Sequence, residues 1–320
     1  MTLVSFSSSD SPALTARHAV ALFVIGALLA GVMQFLNAQD FGADIALDQL
    51  FSSRLNSYAN LLLLAATGLY LAHLAWRAPA VGLWASALAL LGALGLLGSL
   101  LAYGSEPYHK GYAPLVGMHE MLLLFAAFTV LIYLAMEKVY RTRSAGAFVL
   151  PIVAAAVLFD VWSGGRHAPG GALPILRSYA LRAHVLSNLV AYGAFAVAAA
   201  LAAMQLLRGP LGARAGKALP DAPRTARLIH LALALGLVLF SLGALFGMRI
   251  AQLAWGRYWG WDPKECWALL VWAAYGAYFL LYYWRRWRGA RLALWVLFAF
   301  ALTVFGFLGL QLGASLHTYD

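Results

Sequence analysis

Residues 255–272 read WGRYWGWDPKECWALLVW, and five of the chain's eleven tryptophans fall within these eighteen positions. Tryptophan favours the membrane–water interface, so an aromatic belt accounts for scattered tryptophans. It does not account for the punctuation here. Trp255, Trp259 and Trp261 are interleaved with Gly256, Gly260, Asp262, Pro263 and Glu265, all ahead of an apolar run. Flat aromatic faces held by tight turns suit a large, flat, apolar ligand such as a porphyrin. Two histidines bracket the segment, His184 in LRSYALRAHV and His317 in LGASLHTYD. Neutral imidazoles on opposite faces of a porphyrin can ligate its iron axially.

Such a constellation needs elements that bring distant residues to one place, and the composition says which. Of 320 residues, 63% are hydrophobic and only 11% charged, against about 45–50% and about 25% in soluble domains. There is too little polar surface to coat a water-soluble particle. A helix crosses the hydrocarbon core with about 20 apolar residues. Nine segments qualify: 18–36, 57–76, 80–103, 114–136, 145–162, 183–207, 228–250, 265–284 and 292–313. The fifth contains Pro151 and the eighth begins inside the Trp-rich motif, so a count of eight is the alternative. The expected fold is an all-α, polytopic membrane bundle.

The net charge of +10 is read as topology, not as a nucleic-acid footprint. Basic residues concentrate in cytoplasmic loops. With the N-terminus inside, fourteen Lys and Arg fall on the cytoplasmic side and eight on the other, and the short loops EKVYRTR, RGPLGARAGK and RRWRGAR carry the bias. The reading is N-in and C-out, with Met1–Arg17 a polar cytoplasmic tail before a retained first span. His184, the Trp-rich loop and His317 then share the outer face. The single cysteine, Cys266, rules out an internal disulfide, a Cys-ligated zinc site and an iron–sulfur cluster.

WGRYWGWDPKE resembles the WWD motif of haem-handling proteins, and among them the CcsA/ResC-type cytochrome c biogenesis proteins of system II. PLVGMHEMLLLF with MEKVYRTRSAGAFVLP, the segment around His184, and SLHTYD resemble further parts of that family, so the likeness runs from Pro114 to the end. The chain accordingly divides into 1–113, a tail with three spans, and 114–320, a WWD-type membrane core. The resemblance implies haem b as substrate, held on the outer face between His184 and His317 as axial ligands. Trp255, Gly256, Trp259, Trp261 and Asp262 would shape the loop against it. It implies covalent attachment of haem to the thiols of an apocytochrome c CxxCH segment. The partners it implies are a CcsB/ResB-type membrane protein, the apocytochrome and a thioredoxin-like thiol reductant. The location it implies is the bacterial cytoplasmic membrane, with the active face periplasmic. No catalytic residue is assigned.

One position departs from the family pattern. Many members carry a histidine thirteen residues beyond the Trp that Trp267 matches, and here that position is Leu280. His73 and His230 are the accessory candidates for a relay across the membrane, with His18 a third nearer the chain's end. Glu120 matches a family Glu and is expected to organise the pocket, with His119 a neighbour that could pair with it. Asp160 is expected at the interface. Asp262 and Glu265 also read as the N-cap and first-turn acid of the eighth span. Cys266 reads as a packed helix residue. His109 and His167 read as solvated loop histidines, and the topological role of RRWRGAR accounts for that cluster without a lipid ligand. Two other functions compete. One is a WWD-type paralogue that binds haem and regulates or supplies it without attaching it, motivated by Leu280 and the lack of a fused CcsB-like region. The other is a small-molecule transporter, for which paired broken helices and midplane charges are missing.

Overall fold

The computed structural model describes residues 47–105, 115, 117–141, 143–163, 178–210 and 219–308. The expected first span at 18–36 lies outside them, as do His18, His109, His167 and His317. The described residues form α1 (Leu47–Trp76), α2 (Pro79–Ser105), α3 (Met118–Tyr140), α4 (Gly146–Trp162), α5 (Tyr179–Leu207), α6 (Ala222–Trp255), α7 (Pro263–Tyr283) and α8 (Ala290–Leu308). Eight helical stretches are long and apolar enough to cross a membrane, the fourth of them, Arg143–Trp162, taking in a short 3-10 turn ahead of α4. They correspond to the second to ninth expected spans, and among the described residues there is no strand.

Local chemistry sets the helix limits. Asp221 caps α6 by accepting from the Arg224 N–H at 3.3 Å, with a proline in the first turn. Ser178 caps α5 by accepting from the Leu181 N–H at 3.1 Å. Arg141, with φ +52°, ends α3 four residues beyond the expected limit. Pro151, the sixth residue of α4, forgoes one intrahelical bond without breaking the helix, which continues to Trp162.

Side-chain contacts between helices show that the chain runs up and down. Arg224 at the start of α6 donates to the Tyr140 carbonyl at the end of α3. Glu137, near the end of α3, accepts from Tyr70 of α1 at 2.7 Å, Ser86 of α2 at 2.6 Å and Arg143 at 3.2 Å. The opposite end of the bundle is marked by His119 at the start of α3, which lies 2.8 Å from Asp160 at the end of α4. The Trp-rich loop between α6 and α7 belongs to this second end, about 31 Å from Tyr283 along the 21 residues of α7.

The centre of the bundle is α5, whose alanines 191, 194, 196, 198, 199, 200 and 202 are buried. In lipid there is little hydrophobic drive between helices, so close backbone approach does the packing. At Gly193 an added Cβ would lie 3.0 Å from the Thr129 backbone nitrogen of α3. At Gly236 of α6 it would run into the Phe195 ring, which itself stacks on Tyr275 of α7 with centroids 3.6 Å apart. These small residues seat α6 against α5 and thereby place the loop that follows α6.

Candidate functional site

His184 sits on the second turn of α5, half-buried, facing α6. Its Nδ1–H donates to the Gly243 carbonyl at 2.7 Å. That bond fixes the tautomer and leaves the lone pair on Nε2. Histidines that ligate metals are usually held in this way, by a second-sphere acceptor on the other nitrogen. The Asn188 amide nitrogen is nearly equidistant from the ring nitrogens, at 3.3 and 3.4 Å. Gly243 and Gly247 form a small-xxx-small pair on α6 that receives these side chains. A Cβ on Gly243 would collide with the Asn188 amide, and one on Gly247 would lie 2.8 Å from His184 Cε1. The imidazole is therefore confined between two helices, about 12 Å along α6 from Trp255, eight residues on from Gly247.

The loop that starts there is built from left-handed residues and one carboxylate. Gly256 caps α6 with φ +69°, its N–H bonded to the Gln252 carbonyl at 3.1 Å. Trp261 also has a positive φ of 56°, a conformation that costs a residue with a side chain roughly 1–2 kcal/mol. Its ring is 72% exposed and meets Trp259 edge-on, with centroids 5.6 Å apart and planes at 89°. The Trp259 indole N–H is buried and has no hydrogen-bond acceptor among the described residues. A buried donor of this kind is costly unless a ligand or neighbour accepts from it.

Asp262 and Glu265 do what the capping pattern predicts. Asp262 accepts from the Lys264 N–H at 2.9 Å and is buried. Glu265 reaches back to accept from the N–H groups of Gly260 at 2.7 Å and Asp262 at 3.2 Å. A capping box thus doubles as the clasp that holds Trp259 and Trp261 in place. Trp267 fixes the other side by donating to the Leu302 carbonyl of α8 at 2.8 Å, against Gly306. Cys266 differs from expectation. Its side chain is exposed, with the thiol 3.6 Å from the Trp261 carbonyl.

The remaining candidates are scattered. Glu120 is buried in the first turn of α3. His119 beside it pairs with Asp160, which is buried near the end of α4. His73 is at the other end, where its Nδ1–H donates to the Ala78 carbonyl at 2.9 Å and closes the turn from α1 to α2. His230 is also at that end. Its Nε2 is 3.0 Å from the Tyr283 hydroxyl, among the rings of Tyr278, Phe279 and Tyr282. Leu280 is 59% exposed and points elsewhere. Among the described residues no group of three or more His, Cys, Asp or Glu could hold a metal ion. Sequence reasoning missed Asn188, Gly243 and Gly247, although the GxxxG spacing and the interval of four from His184 to Asn188 were there to read.

Comparison with known proteins adds three findings. The cytochrome C assembly protein family matches residues 115–317. The chain is 29% identical to the cytochrome c biogenesis protein CcsA of Gloeobacter violaceus, over 83% of this chain and 95% of that protein. It is 27% identical to the CcsA of Synechococcus elongatus (strain ATCC 33912 / PCC 7942 / FACHB-805), over 75% of this chain and 87% of that one. Among solved structures, the cytochrome c haem lyase CcmF superposes with a TM-score of 0.64 at 18% identity, a likeness of fold. The alignment covers 84% of this chain and 48% of CcmF, so the chain spans about half the length of that protein.

Proposed function

The chain belongs to the cytochrome c assembly protein family, and on that premise we propose that it presents haem b on the outer face of the bacterial cytoplasmic membrane for attachment to apocytochrome c. The observation that carries this reading is the His184 imidazole, held through Nδ1 by the Gly243 carbonyl about two helical turns from a clasped Trp loop. His317 would be the opposing axial ligand. It follows the end of α8 by nine residues, and α8 ends beside the start of α7. Trp255, Trp259 and Trp261 would lie against the porphyrin, with Gly256 and Asp262 setting the loop's entrance and exit. The unpaired Trp259 N–H suits an acidic substituent at the haem edge. The exposed Trp261 face suits the apolar macrocycle.

The reaction we assign is addition of each CxxCH thiol across one haem vinyl group. The new bond joins sulfur to carbon, the thiol proton goes to the neighbouring vinyl carbon, and no net electron transfer occurs. The chain's own contribution is to hold the iron axially, keep the vinyl edge open and exclude competing ligands. A CcsB/ResB-type membrane partner and a thioredoxin-like reductant that keeps the thiols reduced complete the assembly. The outer-face assignment rests on the basic residues of the opposite end. Glu120 is proposed to brace the pocket, and His230 and His73 to act on haem during its passage.

Co-expression with a CcsB/ResB-type protein and a reporter apocytochrome tests the proposal. Haem staining of the reporter in denaturing gels should require His184 and His317. A second reading, haem supply without attachment, is favoured by Leu280 at a position where the family often has histidine. It would be recognised by a haem-loaded protein whose reporter stays unstained.

A further inference from the structure

The end of the bundle opposite the Trp loop carries a second feature that the haem site does not use. The turn from α7 to α8 reads WRRWRGAR over residues 284–291, with four arginines and no acidic residue. Trp284, Arg285, Arg286, Trp287, Arg288 and Arg291 line a shallow, largely open recess of about 760 Å³. Among the described residues no ion pair involves any of the four arginines. Topology alone would need positive charge in this turn, but it would not need a recess.

The turn is also built, not loose. The N–H groups of Trp284 and Arg285 both bond the Leu280 carbonyl, and the Trp287 N–H bonds the Leu281 carbonyl at 3.0 Å. Arg286 is left-handed with φ +56°, although it is not glycine. Arg288 is anchored by donating to the Tyr282 and Trp287 carbonyls at 2.6 Å while lying 3.8 Å from the Tyr282 ring centroid. A strained residue and a doubly tied guanidinium, kept among like charges, indicate a turn organised for an anion. Trp284, 81% exposed, stands at the helix end where an indole meets the headgroup region.

We propose that this recess binds the headgroup of an anionic phospholipid of that leaflet, with the guanidiniums on phosphate and Trp284 along the acyl-chain boundary. Guanidinium forks match phosphate oxygens two at a time. Three guanidiniums besides the anchored Arg288, within eight residues, favour a headgroup with two phosphates, as in a diphosphatidylglycerol, over one with a single phosphate. A cluster of basic residues immediately beyond a transmembrane helix on the cytoplasmic side is a known setting for anionic lipids.

Native mass spectrometry of the purified full-length protein, with cardiolipin, phosphatidylglycerol, phosphatidylcholine or inorganic phosphate added, tests this. The comparison variant is R285Q/R286Q/R291Q, which leaves the anchored Arg288 alone, with R285K/R286K/R291K as the charge-preserving control. The wild type should retain cardiolipin best. Binding should fall about fivefold for each guanidinium neutralised, with the lysine variant in between and the haem spectrum unchanged. Equal cardiolipin retention in wild type and glutamine variant would overturn the proposal. So would a wild-type preference no greater than for phosphatidylcholine. Competition by equimolar inorganic phosphate would identify a free-phosphate site instead, and loss of haem binding in the glutamine variant would assign the recess to haem carboxylates.

Discussion

Replacing Gly247 with alanine isolates the role of the α5–α6 groove, because the new methyl touches the proposed ligand and nothing else of consequence. It would stand 2.8 Å from both Cε1 and Nδ1 of His184, where apolar contacts settle at about 3.5–4.0 Å. Without haem the ring can escape by rotating, at the expense of its bond to the Gly243 carbonyl. Binding haem requires the ring to return against the methyl. Overpacking typically costs about 1–3 kcal/mol, and a strained or lost hydrogen bond adds about 0.5–1.5 kcal/mol. Even about 2 kcal/mol corresponds to roughly a 30-fold weaker affinity. Haem titration into apo-protein, followed at the Soret band, measures it. Gly276→Ala is the control, since a Cβ there meets nothing within 4 Å and alanine is favoured over glycine in a helix by about 1 kcal/mol. If Gly247→Ala binds haem as tightly as wild type and Gly276→Ala, His184 does not ligate iron from this position and the reasoning fails.

Glu265→Ala should release the Trp loop, since two backbone N–H groups lose their acceptor at about 1–3 kcal/mol each; haem binding should fall while circular dichroism stays helical. Trp261→Gly should relieve a positive φ worth roughly 1–2 kcal/mol, so that the thermal midpoint holds or rises while haem affinity drops. His119→Ala should lower the thermal midpoint sharply, because it strands the buried Asp160 carboxylate, a loss of about 3–5 kcal/mol; the paired change His119→Leu with Asp160→Leu should recover much of it. Tyr70→Phe removes one of three donors to the buried Glu137, and should cost about 1–3 kcal/mol in a denaturation series without altering the haem spectrum.

The bundle was legible because lipid imposes one rule, long apolar helices, and eight of the nine expected spans are present as helices. Their ends were less legible. Arg141 and Asp221 set their helices by local backbone geometry and capping, not by hydropathy. The Trp-rich segment and its flanking motifs pointed to a cytochrome c biogenesis family, and the match to the cytochrome c assembly family bears that membership out. What the sequence did not expose was partnership across helices. His119 could have paired with its neighbour Glu120, yet it pairs with Asp160, forty-one residues away. The groove that confines His184 joins Asn188 to Gly243 and Gly247, positions unremarkable in isolation. Glu265 was readable as a capping residue, but its second bond, to the Gly260 N–H, exists only because the loop folds back on itself.

The absorption spectrum of the purified protein, prepared with its CcsB/ResB-type partner and ample haem, tests the central claim most directly. The account expects a red preparation with a low-spin bis-histidine spectrum, converted to high-spin or much weakened in both His184→Ala and His317→Ala. A colourless wild type, or a spectrum indifferent to both substitutions, would contradict it.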